Sequence, residues 1–233
     1  MNLRALVLWD IDGTLVDSAK LGRDAFLIAF ERITGAPPAQ LVPFAGRTDL
    51  EIAADLLEQS GHPVDDGVVA AFEGALAAAM AGLADEVRRR GRAYPGAKDS
   101  LERLRREAGV VQGLLTGNIP ANARVKLGAV GLDGLVDFDI GGYGSDHRVR
   151  SELVAIACER AERKLGVHVP PARAVLVGDT PLDVAAAQAG GARAIGVATG
   201  PYSVAELEDS GADAVLPDLR DAERLVAAVL AVG

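Results

Sequence analysis

The chain has 233 residues, of which 49% are hydrophobic and 4% aromatic, so the composition excludes wholesale disorder and predicts a core of Ala, Val, Leu and Ile. Its 33 acidic and 24 basic side chains give a formal net charge of −9, which disfavours binding to nucleic acid or to anionic membranes. The single cysteine, Cys158, excludes an intramolecular disulfide, and the sequence has no apolar run long enough for a membrane span. We therefore expect a cytoplasmic protein.

The first predicted element is a buried strand, the apolar run from Arg4 to Trp9. The following stretch, to about Arg92, shows helical periodicity and no convincing strand. Its predicted helices span 21–33, 49–59 and 68–90. The pattern therefore predicts an all-helical subdomain, residues 18–92, inserted into a core that comprises residues 1–17 and 93–233.

Strands and helices alternate in the rest of the chain. Strong strand patterns lie at 110–115 and 174–177, and weaker ones at 136–140, 194–197 and 214–216. Helical patterns lie at 97–108, 121–130, 151–165, 181–189 and 218–230. The strong strands are almost continuously apolar, which indicates burial on both faces. The order of elements predicts an α/β fold with a doubly wound, Rossmann-like parallel sheet.

Two carboxylates, Asp10 and Asp12, directly follow the first strand. The carboxyl ends of parallel strands are where doubly wound sheets bind ligands. Two close carboxylates repel each other, and a hard divalent cation such as Mg²⁺ offsets that repulsion. The alternative is a polar turn in which an aspartate caps a helix.

Two more strand ends carry polar residues. Thr116, Gly117 and Asn118 follow the second strong strand, and a hydroxyl with free amides suits a phosphate group, although such residues are also common in turns. Asp179 and Asp183 follow the third strong strand, either as a metal ligand with a supporting carboxylate or as part of a helix cap. If all three strand ends belong to one sheet, they bring together groups that bind a phosphate and a cation.

This ordered set of motifs resembles the haloacid dehalogenase-like hydrolase superfamily, and within it most closely the phosphoglycolate phosphatase type. The family's first motif is Asp-x-Asp-x-Thr, its second a Ser or Thr after the second core strand, and its fourth an acidic pair. The matching residues are Asp10, Asp12 and Thr14, then Thr116, then Asp179 and Asp183. A helical cap between the first two motifs matches residues 18–92.

The resemblance implies a Mg²⁺-dependent phosphatase that acts on a small phosphorylated metabolite such as 2-phosphoglycolate, as a monomer or homodimer. Asp10 is then the nucleophile that forms an aspartyl-phosphate, and Asp12 is the general acid and base. Thr116 hydrogen-bonds a phosphoryl oxygen. Mg²⁺ is held by Asp10, the Asp12 main-chain carbonyl and Asp179, with Asp183 nearby.

The third motif departs from the family pattern, which usually supplies a lysine. Residues 141–153 contain none, and Lys126 and Lys164 lie outside this window. We expect Arg150 to bind the phosphoryl group in its place, with Arg148 as the alternative; each is also compatible with a surface charge.

In the predicted subdomain, the loop around Arg47 resembles the substrate-specificity loop of the family's caps. Arg47 binds a substrate carboxylate or second phosphate there, or else it forms an intramolecular ion pair.

Single residues distinguish the phosphatase from other activities that the same core supports. A dehalogenase has no use for an acid at Asp12, and a phosphonatase needs a cap lysine, which the interval between Lys20 and Lys98 does not contain. A phosphosugar mutase shares the core and stays open as an alternative. A phospho-aspartate switch or binding module is the alternative that is not an enzyme. Steady release of phosphate would distinguish a phosphatase from the mutase and from the switch or binding module.

Overall fold

A computed structural model describes residues 2–231. The strands are β1 (Ala5–Trp9), β2 (Val16–Asp17), β3 (Arg92–Ala93), β4 (Val110–Thr116), β5 (Gly141–Tyr143), β6 (Ala174–Gly178), β7 (Arg193–Val197) and β8 (Ala214–Leu216). The helices are α1 (Leu21–Thr34), α2 (Asp49–Gln59), α3 (Asp66–Gly82), α4 (Ala84–Arg90), α5 (Ala97–Arg105), α6 (Pro120–Ala129), α7 (Glu152–Leu165), α8 (Pro181–Ala189), α9 (Val204–Asp209) and α10 (Ala222–Leu230). Short 3₁₀ helices lie at Asp133–Leu135 and Pro171–Arg173.

Six parallel strands form the main sheet in the order β5-β4-β1-β6-β7-β8. Successive side chains of β1 point to opposite faces of this sheet. Val7 and Trp9 belong to an apolar cluster with α5, α6 and α10, whereas Leu6 and Leu8 belong to a second cluster with α7 and α8. Helices therefore cover both faces, which confirms the predicted doubly wound α/β fold.

Helices α1 to α4, here called the helical insertion, lie between β2 and β3. These two short strands pair in antiparallel fashion, Val16 with Ala93 and Asp17 with Arg92. A third apolar cluster, which includes Phe26, Phe72 and Leu76, joins α1, α2 and α3 and also contains Ile119, the residue before α6. The insertion thus has its own apolar core and packs on the main domain at the start of α6.

Within residues 2–231, none of the helices taken singly has the length and apolarity to cross a bilayer. The pair α3 and α4, bent by 52° at its junction, meets the length and composition criteria only when its two members are taken together. Phe72, Leu76 and Met80 of α3 are buried inside the protein.

The structure differs from the sequence prediction at several elements. The strand predicted at 136–140 is wrong, because the Asp137 side chain accepts the main-chain N–H of Asp139 at 3.0 Å and turns the chain, so that β5 begins at Gly141. The single helix predicted at 68–90 is two helices, which meet after Gly82, a poor helix former. Helix α10 begins four residues later than predicted, because the Asp221 side chain caps it.

Candidate active site

The site lies at the carboxyl edge of the sheet, where β1 sits between β4 and β6. The main-chain N–H of Asp10 donates a hydrogen bond to the carbonyl oxygen of Val177 at 2.9 Å and so extends the pairing of β1 with β6. Asp10 and Asp179 therefore lie side by side where these adjacent strands end. Asp10, Asp179 and Asp183 are all buried, and each places a carboxylate oxygen within 4.8 Å of the others. The sheet therefore brings three of the predicted acidic residues into one cluster.

Glycine makes room for the Asp179 carboxylate. A Cβ atom on Gly13 would lie 2.2 Å from Asp179 Oδ2, and one on Gly200 only 1.7 Å from it. Gly13 also has a φ of +86°, which residues with a side chain rarely adopt. Thr14 then donates a hydrogen bond from Oγ1 to Asp179 Oδ1 at 3.0 Å. These contacts fix the direction of the carboxylate, and its Oδ2 accepts no hydrogen bond from residues 2–231.

Arg150 lies in the cluster and Arg148 does not. The buried guanidinium of Arg150 places Nη2 3.0 Å from Asp10 Oδ1 and 2.5 Å from Asp183 Oδ1. Its Nε finds no hydrogen-bond acceptor in the described part of the chain. The Arg148 side chain is exposed, and only its main-chain carbonyl is engaged, by the Thr48 hydroxyl at 2.9 Å.

Asp183 has two structural roles. Its carboxylate accepts the main-chain N–H of Thr180 at 3.1 Å, while Thr180 Oγ1 accepts the N–H of Asp183 at 3.2 Å, which closes a capping box at the start of α8. Its other oxygen binds Arg150. The helix cap is thus formed by Thr180 and Asp183, and Asp179 is left to face the cluster.

Asp12 is separated from this cluster and is held by a network of donors. Its Oδ2 accepts from Lys126 Nζ at 2.5 Å and from Asn118 Nδ2 at 2.8 Å, and its Oδ1 accepts from Ser18 Oγ at 3.1 Å. Lys126 Nζ also donates to Asn118 Oδ1 at 2.6 Å. Gly22 gives the ammonium group space, since a Cβ there would lie 2.9 Å from Nζ.

Lys126 is the site residue that the sequence reasoning missed. It lies outside the window searched for the third motif, on α6, eight residues after Asn118. A signal was nevertheless present, because a helix that starts at Pro120 brings residues four and eight positions beyond Asn118 back to the same face.

The loop after β4 contacts both Asp12 and the helical insertion. Thr116 is fully buried, and its Oγ1 accepts from Asn118 Nδ2 at 2.8 Å, which leaves its own O–H free to donate. A Cβ on Gly117 would lie 2.0 Å from the main-chain oxygen of Arg47, so only glycine permits this close approach of the insertion. Asn118 and Gly117 line the cavity described next.

A cavity of about 270 Å³ lies between this edge of the sheet and the helical insertion. Arg47 lines it, but all three of its guanidinium nitrogens are occupied: Nε bonds to Glu51 at 2.8 Å, Nη2 to Asp55 at 2.6 Å and Nη1 to the Pro43 carbonyl at 3.2 Å. The intramolecular ion pair considered from the sequence is therefore present in this structure.

Burial changes the acidities of the clustered groups. It raises the pKa of Asp10 to about 6, with Arg150 opposing and Asp183 adding to the shift, and raises the pKa of Asp179 to about 8, with Asp10 and Asp183 adding. Burial also disfavours ionised Asp12, but Lys126, Asn118 and Ser18 outweigh it and lower the pKa of Asp12. Buried carboxylates that disfavour each other's ionised form suit a hard divalent cation, because oxygen ligands are those it prefers.

The chain is similar to known proteins over most of its length. The family model for haloacid dehalogenase-like hydrolases matches residues 5–191. A phosphoglycolate phosphatase of Mannheimia succiniciproducens is 28% identical over 233 aligned residues, which cover 95% of this chain and 97% of that protein. A probable phosphatase, IndB, of Dickeya dadantii is 28% identical over 215 residues, with coverage of 88% and 86%.

Solved structures share the fold. A predicted phosphoglycolate phosphatase of Haemophilus somnus superposes with a TM-score of 0.67 at 20% identity, covering 97% of this chain and 99% of that one. CbbY of Rhodobacter sphaeroides, solved in complex with phosphate, gives a TM-score of 0.65 at 21% identity, with coverage of 93% and 95%.

Proposed function

The chain belongs to the haloacid dehalogenase-like hydrolase family, and from this premise we propose that it is a Mg²⁺-dependent phosphatase that hydrolyses a small phosphate monoester through an aspartyl-phosphate. The observation that carries the proposal is the convergence of Asp10, Asp12, Asp179 and Arg150 on one cavity. Carboxylates with different surroundings and a fixed guanidinium are the groups that phosphoryl transfer uses.

Asp10 is the nucleophile in this proposal. One of its carboxylate oxygens forms a bond to phosphorus while the bond from phosphorus to the ester oxygen breaks. Arg150 fixes the Asp10 side chain through Oδ1. Its unpartnered Nε–H and the free O–H of Thr116 are donors for the phosphoryl oxygens, whose charge they stabilise.

Asp12 handles the protons. In its protonated form it gives its proton to the departing ester oxygen. The resulting carboxylate then takes a proton from the water that attacks phosphorus, while the bond from phosphorus to the Asp10 oxygen breaks, and the acid form of Asp12 is restored. Lys126, Asn118 and Ser18 hold its carboxylate in one orientation, and we assign Lys126 as a positioning residue for this group.

The donor set fits a divalent cation, and we propose that Asp10 and Asp179 hold it together with the main-chain carbonyl of Asp12, with Asp183 nearby. When bound, Mg²⁺ supplies positive charge between the carboxylates and the phosphoryl oxygens. Asp179 is the ligand with the fewest competing contacts, since Thr14 alone donates to its side chain in the described residues.

The substrate in this proposal is a small phosphorylated metabolite, with 2-phosphoglycolate as the leading candidate because of the named relative. We further propose that residues 18–92 act as a cap over the core of residues 1–17 and 93–233. Phe44 and Arg47 of that segment line the cavity, so the cap contributes the wall that faces the alcohol part of the ester.

Phosphate release tests the proposal directly. Purified protein should release phosphate steadily from 4-nitrophenyl phosphate and 2-phosphoglycolate with Mg²⁺, and EDTA should abolish the reaction. Asp10→Asn and Asp12→Asn should each lower kcat by about 10⁴-fold or more. Full activity of Asp10→Asn would remove the nucleophile assignment, and phosphate retained on an isomerised product would favour the mutase alternative.

A further inference from the structure

Three buried polar side chains line the cavity on or just before α6. Asn122 and Lys126 lie one turn apart on the same face of α6, and Asn118 lies two residues before the helix begins. Their exposed fractions are 6%, 2% and 4%. Asn118 and Lys126 bind Asp12, whereas Asn122 takes no part in holding that carboxylate.

The Asn122 side chain has unused hydrogen-bonding capacity. Its Oδ1 is buried and accepts no hydrogen bond from residues 2–231. Buried polar atoms in native proteins nearly always have a partner, because leaving one unpaired destabilises the fold. Asn122 lines the same cavity as Asp12, so its amide group lies next to the space that a bound ester would fill. A hydroxyl group on the alcohol part of the substrate has the required chemistry.

The cavity also has a cation that no carboxylate neutralises. Arg47, Lys126 and Arg150 are all ion-paired with acidic side chains. Arg23 of α1 lines the cavity as well, and it forms no ion pair with any residue that the structure describes. Because its side chain is exposed, it lies at the rim of the cavity, where a substrate can reach it.

Part of the cavity wall is apolar. Phe26, Phe44 and Ile52 line the cavity from α1, the loop before α2 and α2 itself. The rings of Phe26 and Phe44 pack edge to face with centroids 5.3 Å apart, which keeps this wall in place. Such a surface suits the carbon skeleton of a small alcohol.

We propose, on the basis of the phosphatase function above, that this leaving-group subsite selects phosphate esters of short carboxylic acids that carry a further, free hydroxyl group. The hydroxyl donates to Asn122, the carboxylate pairs with Arg23 and the carbon chain packs against the apolar wall. Arg23 thereby takes the substrate-binding role that was one of the two alternatives for Arg47 in the sequence analysis. 2-Phosphoglycolate has the carboxylate but no hydroxyl, so it fills the subsite only in part.

Four matched esters test the subsite: propyl phosphate has neither group, propane-1,2-diol 1-phosphate has the hydroxyl, 3-(phosphonooxy)propanoate has the carboxylate, and 3-phosphoglycerate has both. The hydroxyl should raise kcat/KM by about tenfold. The carboxylate should raise it by about fivefold, since its partner is exposed. If the wild-type enzyme hydrolyses all four esters equally, the subsite is wrong although the phosphatase function stands. If it hydrolyses none of them, nor 4-nitrophenyl phosphate, the proposed function itself fails.

Variants assign each preference to its residue. Asn122→Leu should abolish the hydroxyl preference and keep the carboxylate preference, and Arg23→Gln should do the reverse. Arg32→Gln removes the same charge from an exposed position on the same helix, away from the cavity, and should keep both preferences. Because each readout is a ratio of kcat/KM values within one variant, a general loss of activity does not mimic it. Unchanged ratios in Asn122→Leu or Arg23→Gln would overturn that residue's assignment.

Discussion

The two walls of the cavity are built differently. On the core side, charges pair across long sequence distances: Arg150 with Asp10 and Asp183, and Lys126 with Asp12. On the side of the helical insertion, Arg47 pairs with Glu51 and Asp55, its neighbours along the chain.

The contrast indicates which side of the cavity holds its charged groups in place before substrate binds. Pairs that join separate elements form only when the whole sheet and its helices are assembled, so the core wall is organised by the fold before substrate binds. The Arg47 pairs form within one short segment of the insertion, so in our proposal the substrate contacts of that wall come from other residues, such as Arg23. The effects of substitutions on the two sides should therefore differ in size.

Among the variants that test this contrast, we expect the largest loss of activity on substitution of Arg150. Arg150→Ala removes the cation that fixes Asp10, and should lower kcat for 4-nitrophenyl phosphate by about 10²- to 10³-fold. Arg148→Ala is the matched control, because its exposed side chain lies outside the cavity, and it should stay within about twofold of wild type. Equal losses in both variants would mean that Arg150 has no special role.

Lys126→Met tests the second long-range pair. The variant keeps the length of the side chain but frees the Asp12 carboxylate, and should lower kcat by about 10²-fold. The loss should be larger for propyl phosphate than for 4-nitrophenyl phosphate, whose leaving group departs without a proton. Lys98→Met, at an exposed ion pair with Glu102, is the control. A loss that is the same for both substrates would contradict a role through Asp12.

Gly200→Ala tests the space around Asp179. Its Cβ would lie 1.7 Å from Asp179 Oδ2, so the carboxylate must move. The Mg²⁺ concentration for half-maximal activity should rise by about tenfold or more. Gly74→Ala, on α3 with no atom within 4 Å of the added Cβ, should leave it unchanged. An unaltered Mg²⁺ dependence in Gly200→Ala would argue against Asp179 as a ligand.

The smallest effect concerns the junction between the two walls. Asp49 accepts the main-chain N–H of Ile119 at 2.9 Å, and burial raises its pKa from 3.8 to about 7, with Lys126 opposing and Asp12 adding. A raised folded pKa means that Asp49 costs stability increasingly as pH rises from about 4 to about 7. Asp49→Asn should therefore raise Tm by a few degrees at pH 8, and by less at pH 5.

Thermal unfolding at both pH values checks this prediction. Asp24→Asn, an exposed residue on α1, is the control for loss of one negative charge. A gain in Tm for Asp49→Asn that does not grow with pH would show that the Asp49 carboxyl is not destabilised when ionised at the junction.

The core wall could be predicted from the sequence to a large extent, because apolar strands and the polar residues that follow them are local patterns. Asp10 and Asp179 come together simply because β1 and β6 are neighbours in the sheet. Lys126 was missed because its target, Asp12, is far away in sequence and only the packing of α6 joins them.

The insertion wall could be predicted only in outline. Helical periodicity located α1, α2 and the start of α3, but it does not specify how side chains from separate helices meet. Whether Arg47 faces Glu51 and Asp55 or a substrate depends on competition between close charges, which the sequence left open. Arg23 of the insertion drew no attention for the same reason, and neither did Asn122 on the core side: what distinguishes them is the cavity they share.

The most direct measurement is the mass of the protein quenched in acid during turnover of 4-nitrophenyl phosphate with Mg²⁺. A peptide that contains Asp10 should gain the mass of one phosphoryl group, and the gain should vanish in Asp10→Asn and without the cation. Steady phosphate release with no phosphorylated Asp10 peptide, or with the label on another residue, would contradict the central claim that Asp10 attacks phosphorus.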